Sequence, residues 1–198
     1  MKEGVEKGGK RAYMSENYTV RRLTVPELPI LTELFDYKDV DGMVQKTAKF
    51  MQSGCCDIFV LFREGRTGDF SKDEISSGKE IFSKEELLGE VHVGYCSTDE
   101  EEALPGKRAY LFAYRVKEGH QNKGLGTFLL RRVLGELEAQ GYTEFTIGVE
   151  DENARAKHIY DRLGFREVVG RRVGQDDGES DPYEYNLLLR RSRRAMIL

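Results

Sequence analysis

The chain has 198 residues, a formal net charge of −4, 39% hydrophobic residues and 33% charged residues. This length suits one domain with a sizeable core, and the acidic balance argues against a general nucleic-acid-binding protein, because phosphate contacts need a basic excess. No apolar run reaches the roughly 18 residues that span a bilayer and the N-terminus has no signal-peptide core, so we expect a cytoplasmic protein without a membrane contact.

Helix-like and strand-like patterns alternate along most of the chain. In chain order we predict a strand at Tyr18–Leu23, helices at Glu27–Phe35 and Val40–Gln52, strands at Ile58–Phe62, Gly89–Tyr95 and Tyr110–Val116, a helix at Leu125–Gln140, a strand at Phe145–Val149, a helix ending near Leu163, and strands at Phe165–Val169 and Tyr183–Leu189. This order predicts an α/β (α+β) fold, a mixed sheet with helices on its faces.

Three segments lack such periodicity. Residues 1–16 predict a flexible N-terminal tail, and residues 191–198 a basic C-terminal tail. Residues 64–86 are rich in glycine, serine and charge, which predicts a polar insertion. We predict that residues 17–190, which include this insertion, form a single domain.

The chain has three cysteines, Cys55, Cys56 and Cys96. They form no CxxC motif and no closed disulfide framework, so we expect reduced thiols in a cytoplasm. No three histidines or carboxylates fall at metal-ligand spacing, so we predict no metal site.

The segment Gln121–Gly126 lies between an apolar strand and a strongly helical run. Its two glycines let the backbone approach an anion, and a helix start presents N–H groups that carry partial positive charge. A Walker loop is rejected because Leu125 stands where lysine is needed. A dinucleotide fingerprint, G-x-G-x-x-G, is rejected because Leu129 stands where the third glycine is needed. The segment therefore predicts a phosphate or pyrophosphate site.

A second motif follows at Asn153–Phe165. With the first, it resembles the GNAT superfamily of N-acetyltransferases, whose pyrophosphate loop reads Arg/Gln-x-x-Gly-x-Gly/Ala and whose second motif reads Asn-x-x-Ala-x-x-x-Tyr and closes on Gly-Phe. The matching residues are Gln121, Gly124, Gly126, Asn153, Ala156, Tyr160, Gly164 and Phe165. The resemblance covers roughly residues 87–189.

The resemblance implies a mostly antiparallel, twisted sheet of about seven strands flanked by about four helices. It also implies an acyltransferase that uses acetyl-CoA as co-substrate and passes the acetyl group directly to a primary amine in a ternary complex. The implied cofactor-binding residues are Tyr114, Arg115, Val116, Gln121, Asn122, Lys123, Gly124, Leu125, Gly126, Thr127, Asn153, Ala156 and Tyr160.

Tyr160 and Glu90 are the predicted catalytic residues. Asn153, Ala156 and Tyr160 recur at three- and four-residue spacing, so they share a helix face, and the Tyr160 hydroxyl is expected to donate a proton to the departing thiolate. Glu90 is the predicted proton acceptor, with His92 and Glu150 as alternatives.

Two positions depart from the family pattern. Gln121 replaces the commoner arginine and removes one charge from the pyrophosphate site, and Glu118 stands where a proline is frequent.

The acceptor is less well defined by the sequence. Four carboxylates precede the last strand, where they would attract cations, so we expect a small cationic amine; they are Asp176, Asp177, Glu179 and Asp181. A catalytically idle acyl-CoA-binding or regulatory module, and a protein or peptide N-terminal acetyltransferase, remain alternatives. A nucleic-acid partner is disfavoured, and a homodimer is compatible with the sequence.

Overall fold

A computed structural model describes residues 18–64, 85–174 and 182–192. The expected N-terminal tail, the expected C-terminal tail beyond Ser192, nearly all of the polar insertion and the four carboxylates before the last strand lie outside these ranges. Arg191, expected in the C-terminal tail, belongs instead to the last strand. None of the helices in the described ranges has the length and apolar character needed to cross a membrane.

Within the described ranges, seven strands form a single sheet, and four helices lie on its faces. The elements are β1 (Tyr18–Arg22), a 3₁₀ helix (Val25–Glu33), α1 (Val40–Gln52), β2 (Cys56–Arg63), β3 (Glu86–Gly94), β4 (Arg108–Val116), α2 (Leu125–Ala139), β5 (Glu144–Val149), α3 (Ala154–Leu163), β6 (Glu167–Gly174) and β7 (Tyr183–Arg191). The strand order is β1-β2-β3-β4-β5-β7-β6, and only β4 and β5 pair in parallel. The predicted mostly antiparallel sheet is confirmed.

The sheet has a buried core on each face. On one face α2 contributes a stripe of leucine and valine side chains that packs on the central strands, and α3 adds Tyr160. On the other face the 3₁₀ helix and α1 cover β2 and β3. Side chains alternate along β3: Val91 and Val93 face α2, while Glu90 and His92 meet on the opposite face.

Two predicted elements differ from the structure for local reasons. The first helix is 3₁₀ and begins at Val25; Pro29 lies inside it and has no N–H group to donate to an α-helical ladder. The strand predicted at Phe165–Val169 begins at Glu167 instead. Gly164 ends α3 with φ 93°, and the Phe165 N–H then donates to the Tyr160 carbonyl at 3.0 Å, so Phe165 belongs to the end of the helix.

The expectation of three reduced cysteines is wrong in this structure. Cys55 and Cys96 form a disulfide, with their Cα atoms 5.2 Å apart. Cys55 precedes β2 and Cys96 follows β3, and the antiparallel pairing of these strands brings the two residues together. The sequence separation of 41 carries no sign of that register. Cys56 is unpaired and buried, and burial raises the pKa of its thiol to about 12.

Candidate active site

The sheet opens between β4 and β5. Their parallel pairing ends at Leu111 and Ile147, while β4 continues to Val116. The register of β3 and β4 also slips at this point, and Ala113 has φ 46°, so β4 carries a bulge where it leaves β5. The two strands therefore splay apart beyond this point. Beyond Leu111, the β5-facing edge of β4 has no strand partner among the described residues.

The glycine-containing loop places a set of N–H groups at the mouth of this opening. Gly119, Asn122 and Gly124 all have positive φ, and Gly124 is the N-cap of α2. No backbone N–H group from Gln121 to Thr127 donates to another described residue. Several donors at a helix start, together with the helix dipole, suit a pyrophosphate. Asn122 is a non-glycine residue in the left-handed region, where asparagine is tolerated best.

Gly126 has a packing role that the sequence did not reveal. A Cβ atom at this position would lie 1.8 Å from the Tyr114 hydroxyl oxygen and 3.2 Å from Val116 Cγ2. Tyr114 therefore crosses the first turn of α2, which requires a residue without a side chain there. The glycine at 126 lets β4 and α2 approach each other at the opening.

Tyr114 and Tyr160 form the wall of the opening below the loop. Their ring centroids are 6.2 Å apart, and the Tyr160 ring also lies 6.0 Å from that of Phe165. Burial raises the pKa of Tyr160, and the nearby Tyr114 raises it further; burial also raises the pKa of Tyr114 to about 12. The Tyr160 hydroxyl makes no hydrogen bond with any described residue, so its proton is available for a partner in the opening.

Asn153 begins the helix that carries Tyr160. It is the N-cap of α3, and its Oδ1 accepts a hydrogen bond from the Ala156 N–H at 3.0 Å. Asn153 is one of the implied cofactor-binding residues. Because its Oδ1 caps the helix, its Nδ2 group remains to donate a hydrogen bond to a ligand. Ala156 packs against the core at the first turn.

Glu90 lies in a buried network on the opposite face of the sheet. Its side chain is fully buried; Oε1 accepts from Arg115 Nη1 at 2.8 Å, and Oε2 lies 3.0 Å from His92 Nε2. Arg115 also donates to the Tyr37 hydroxyl and stacks 4.2 Å from the centroid of Phe35. Burial opposes the charge on Arg115, but Glu90 raises its pKa overall.

The same network limits the part that Arg115 can play in cofactor binding. Its side chain is directed to Glu90, so only its backbone is left to contact a ligand in the β4–β5 opening. The third candidate base, Glu150, lies exposed after β5 and has no side-chain contact with Glu90 or His92 among the described residues.

Arg155 is a site residue that the sequence analysis missed. Its Nη1 donates to Gln121 Oε1 at 2.5 Å, and its charge lowers the pKa of Tyr114 against the effect of burial. The first turn of α3 thus brings a guanidinium group to Gln121, the loop position at which the family more commonly has an arginine. The available signal was the place of Arg155 two residues after Asn153, on a helix that must lie beside the loop.

Comparison with known proteins agrees with this geometry. The model of the Acetyltransferase (GNAT) family matches residues 57–165, more than half of the chain, so the chain belongs to that family. A segment of 75 residues is 39% identical to the [Ribosomal protein bS18]-alanine N-acetyltransferase of Escherichia coli K12, covering 37% of this chain and 51% of that protein. The chain thus matches only about half the length of this curated relative.

Solved structures show the same fold at lower identity. Spermidine/spermine N-acetyltransferase SpeG from Vibrio cholerae, in complex with manganese ions, aligns with a TM-score of 0.63 at 17% identity over 93% of this chain and 98% of that one. The putative acetyltransferase yncA from Salmonella typhimurium, with its cofactor acetyl-CoA, aligns with a TM-score of 0.57 at 17% identity over 89% and 94%. At these identities the likeness shows the fold alone.

Proposed function

We propose that the protein is an N-acetyltransferase that moves an acetyl group from acetyl-CoA to a primary amine by direct attack. One observation carries the proposal: the unpartnered edge of β4, the N–H groups at the start of α2 and the Tyr160 hydroxyl all border one opening. Acetyl-CoA supplies the thioester when bound. Family membership and the acetyl-CoA complex of yncA support this choice of acyl donor.

The chain's own groups suit the successive needs of this transfer. The N–H groups of residues 121–127 hold the pyrophosphate, and the backbone of Tyr114–Val116 pairs with the amides of the pantetheine arm as an added strand would. Tyr160 then donates its phenolic proton to the departing sulfur. A phenol with a raised pKa remains protonated at neutral pH, so the donor is always in the required form.

The amine must lose a proton before it attacks, since most amines are cationic at neutral pH. We assign this step to the unit of Glu90 and His92. With Nε2 donating to Glu90, His92 keeps the lone pair on Nδ1, and His92 is 8% exposed whereas Glu90 is fully buried. In this arrangement His92 Nδ1 takes the amine proton, and the Glu90 carboxylate stabilises the imidazolium that forms, much as a carboxylate orients and stabilises a catalytic imidazole.

The sheet face that carries Glu90 and His92, where we place the acceptor, also carries aromatic rings and a carboxylate. The Tyr185 hydroxyl donates to Glu102 Oε1 at 3.2 Å, and Tyr110 stacks on Phe112 with centroids 5.4 Å apart. Rings and carboxylates together attract a cation. This supports a small cationic amine, and the four carboxylates before β7 remain part of that proposal.

A protein N-terminal amine is the second candidate acceptor. The 39% identical segment shared with the bS18-alanine N-acetyltransferase favours it, although the segment covers 51% of that protein. Small amines and peptides differ in what they require: a peptide needs contacts along its backbone, whereas a polyamine needs distributed negative charge.

An acceptor screen tests the proposal. Thiol release from acetyl-CoA is followed with polyamines, aminoglycosides, amino acids and a peptide with N-terminal alanine, against the same peptide with a blocked N-terminus. We expect release that requires an unblocked amine and is fastest with polycations. Preference for the alanine peptide would select the second acceptor. Tight acetyl-CoA binding without release for any amine would instead indicate an idle binding module.

A further inference from the structure

A cleft of about 510 Å³ lies at the middle and far end of α2, away from its N-terminal loop. We call it the arginine cleft. It lies between α2, the end of α3 and the end of β7, and its charged lining residues are Arg131, Glu138, Arg162, Arg166, Arg190 and Arg191. Five cations and one carboxylate meet here on a chain whose formal net charge is −4.

The carboxylates near the arginine cleft neutralise only some of these cations. Arg190 pairs with Glu138 at 2.8 Å, Arg166 with Asp161, and Arg191 with Glu167. Arg131 and Arg162 have no ion pair or hydrogen bond with any described residue. A cation in the last turn of a helix is favourable by itself, which accounts for Arg162, but Arg131 lies at the middle of α2 and gains nothing from its dipole.

Arg190 supplies a second, independent observation. Its Nη2 donates to Glu138, and its guanidinium lies 5.1 Å from the centroid of Phe145, yet its Nη1 is buried without a hydrogen-bond partner among the described residues. A buried charged N–H group without an acceptor is costly, and such groups normally meet a protein acceptor, water or an ion. Gly135 also lines the cleft, and a Cβ atom at this position would meet no other atom within 4 Å.

We propose that the arginine cleft binds a small phosphorylated ligand with two or more negative charges, separately from the acetyl-CoA site. Guanidinium groups donate paired N–H groups to phosphate oxygens, and several of them around one cleft favour a multivalent phosphate over a single carboxylate. The N–H groups of the α2 loop lie at the opposite end of that helix, so both sites can be occupied at once. The proposal does not depend on the transferase activity.

Calorimetry with inorganic pyrophosphate as the probe tests this, on full-length protein already saturated with CoA. The double variant R131A/R162A removes the two arginines without a partner, and R132A is the matched control, because Arg132 is an exposed neighbour on α2 that packs on Phe128 and does not line the cleft. We expect binding to the CoA-saturated parent, weakening of about tenfold or more in the double variant, and no change in R132A.

Three results would overturn the proposal: no binding at millimolar pyrophosphate, binding that disappears once CoA is present, or equal binding by the parent and R131A/R162A. Circular dichroism and CoA affinity report whether the double variant is folded. Both substituted side chains are exposed, so we expect neither measurement to change.

Discussion

The C-terminal half of the described chain, from β4 to β7, and the N-terminal half, from β1 to β3, contribute to the site through different kinds of contact. In the C-terminal half the functional groups follow one another along the chain, and backbone groups at a helix start and a strand edge form the opening. Glu90 of the N-terminal half contacts its neighbour His92 and Arg115 of β4, and Arg115 in turn contacts Tyr37, a residue 78 positions earlier. The proposed cofactor contacts are therefore local, whereas the proposed proton removal depends on tertiary packing.

This difference predicts separable phenotypes. Substitutions at the loop of α2 should change cofactor affinity and leave the proton-transfer steps intact. Substitutions of the buried network should lower kcat/KM and stability while cofactor affinity stays the same. Tyr160 belongs to both groups of predictions, because it lies on the proposed cofactor side but is proposed to donate a proton.

The largest effect on turnover is expected for Tyr160→Phe. Loss of the hydroxyl should lower kcat by roughly ten- to a thousandfold, with little change in acetyl-CoA affinity. Because burial raises the pKa of Tyr160, the parent enzyme should show no fall in kcat from loss of this proton below about pH 10. Tyr142→Phe is the control, since Tyr142 packs near Tyr95 and away from the loop. Equal kcat in both variants would reduce Tyr160 to a packing residue.

A smaller effect, roughly ten- to a hundredfold on kcat/KM, is expected for Glu90→Gln. The amide keeps the shape of the carboxylate but cannot stabilise a protonated His92, and it leaves Arg115 without its charge partner. Urea denaturation should also show lower stability. If stability falls while kcat/KM of the folded protein is unchanged, Glu90 is a structural ion-pair partner only.

Arg155→Ala should weaken acetyl-CoA binding by about fivefold, as expected for loss of one exposed charged contact. The side chain reaches Gln121 at the loop, so kcat at saturating acetyl-CoA should change little. Arg132→Ala provides an exposed arginine on α2 as a control. An equal loss of acetyl-CoA affinity in both variants would indicate an effect of net charge rather than a contact made by Arg155.

The smallest effect on activity is expected from reduction of the Cys55–Cys96 disulfide. Denatured protein should give one reactive thiol, Cys56, before reduction and three afterwards. Reduction should lower the free energy of unfolding by about 3 kcal/mol, since the bond closes a loop, with little change in kcat. Three thiols before reduction would instead support the original expectation of reduced cysteines.

The sequence predicted the local features well and the tertiary ones poorly. The bounds of α1 and the start of α2 follow from periodicity and glycine placement. Glu90 could be named as a base candidate, but its contact with Arg115 depends on the register of β3 and β4, including the bulge at Ala113. Arg155 and the Cys55–Cys96 bond were missed for the same reason, since each depends on residues brought together by folding.

The most direct test of the account is an acetyl-CoA titration of a matched pair of variants. Gly124 begins α2 with φ 81°, and Gly141 follows the same helix with φ 98° and open space around it. Gly124→Glu and Gly141→Glu therefore carry the same substitution with similar backbone strain at opposite ends of one helix.

In calorimetry the parent and Gly141→Glu should bind acetyl-CoA equally, and Gly124→Glu should show no binding, because a carboxylate then stands where the pyrophosphate must approach the N–H groups. Circular dichroism should show both variants to be folded. Undiminished acetyl-CoA affinity in a folded Gly124→Glu variant would contradict the assignment of the start of α2 as the cofactor site.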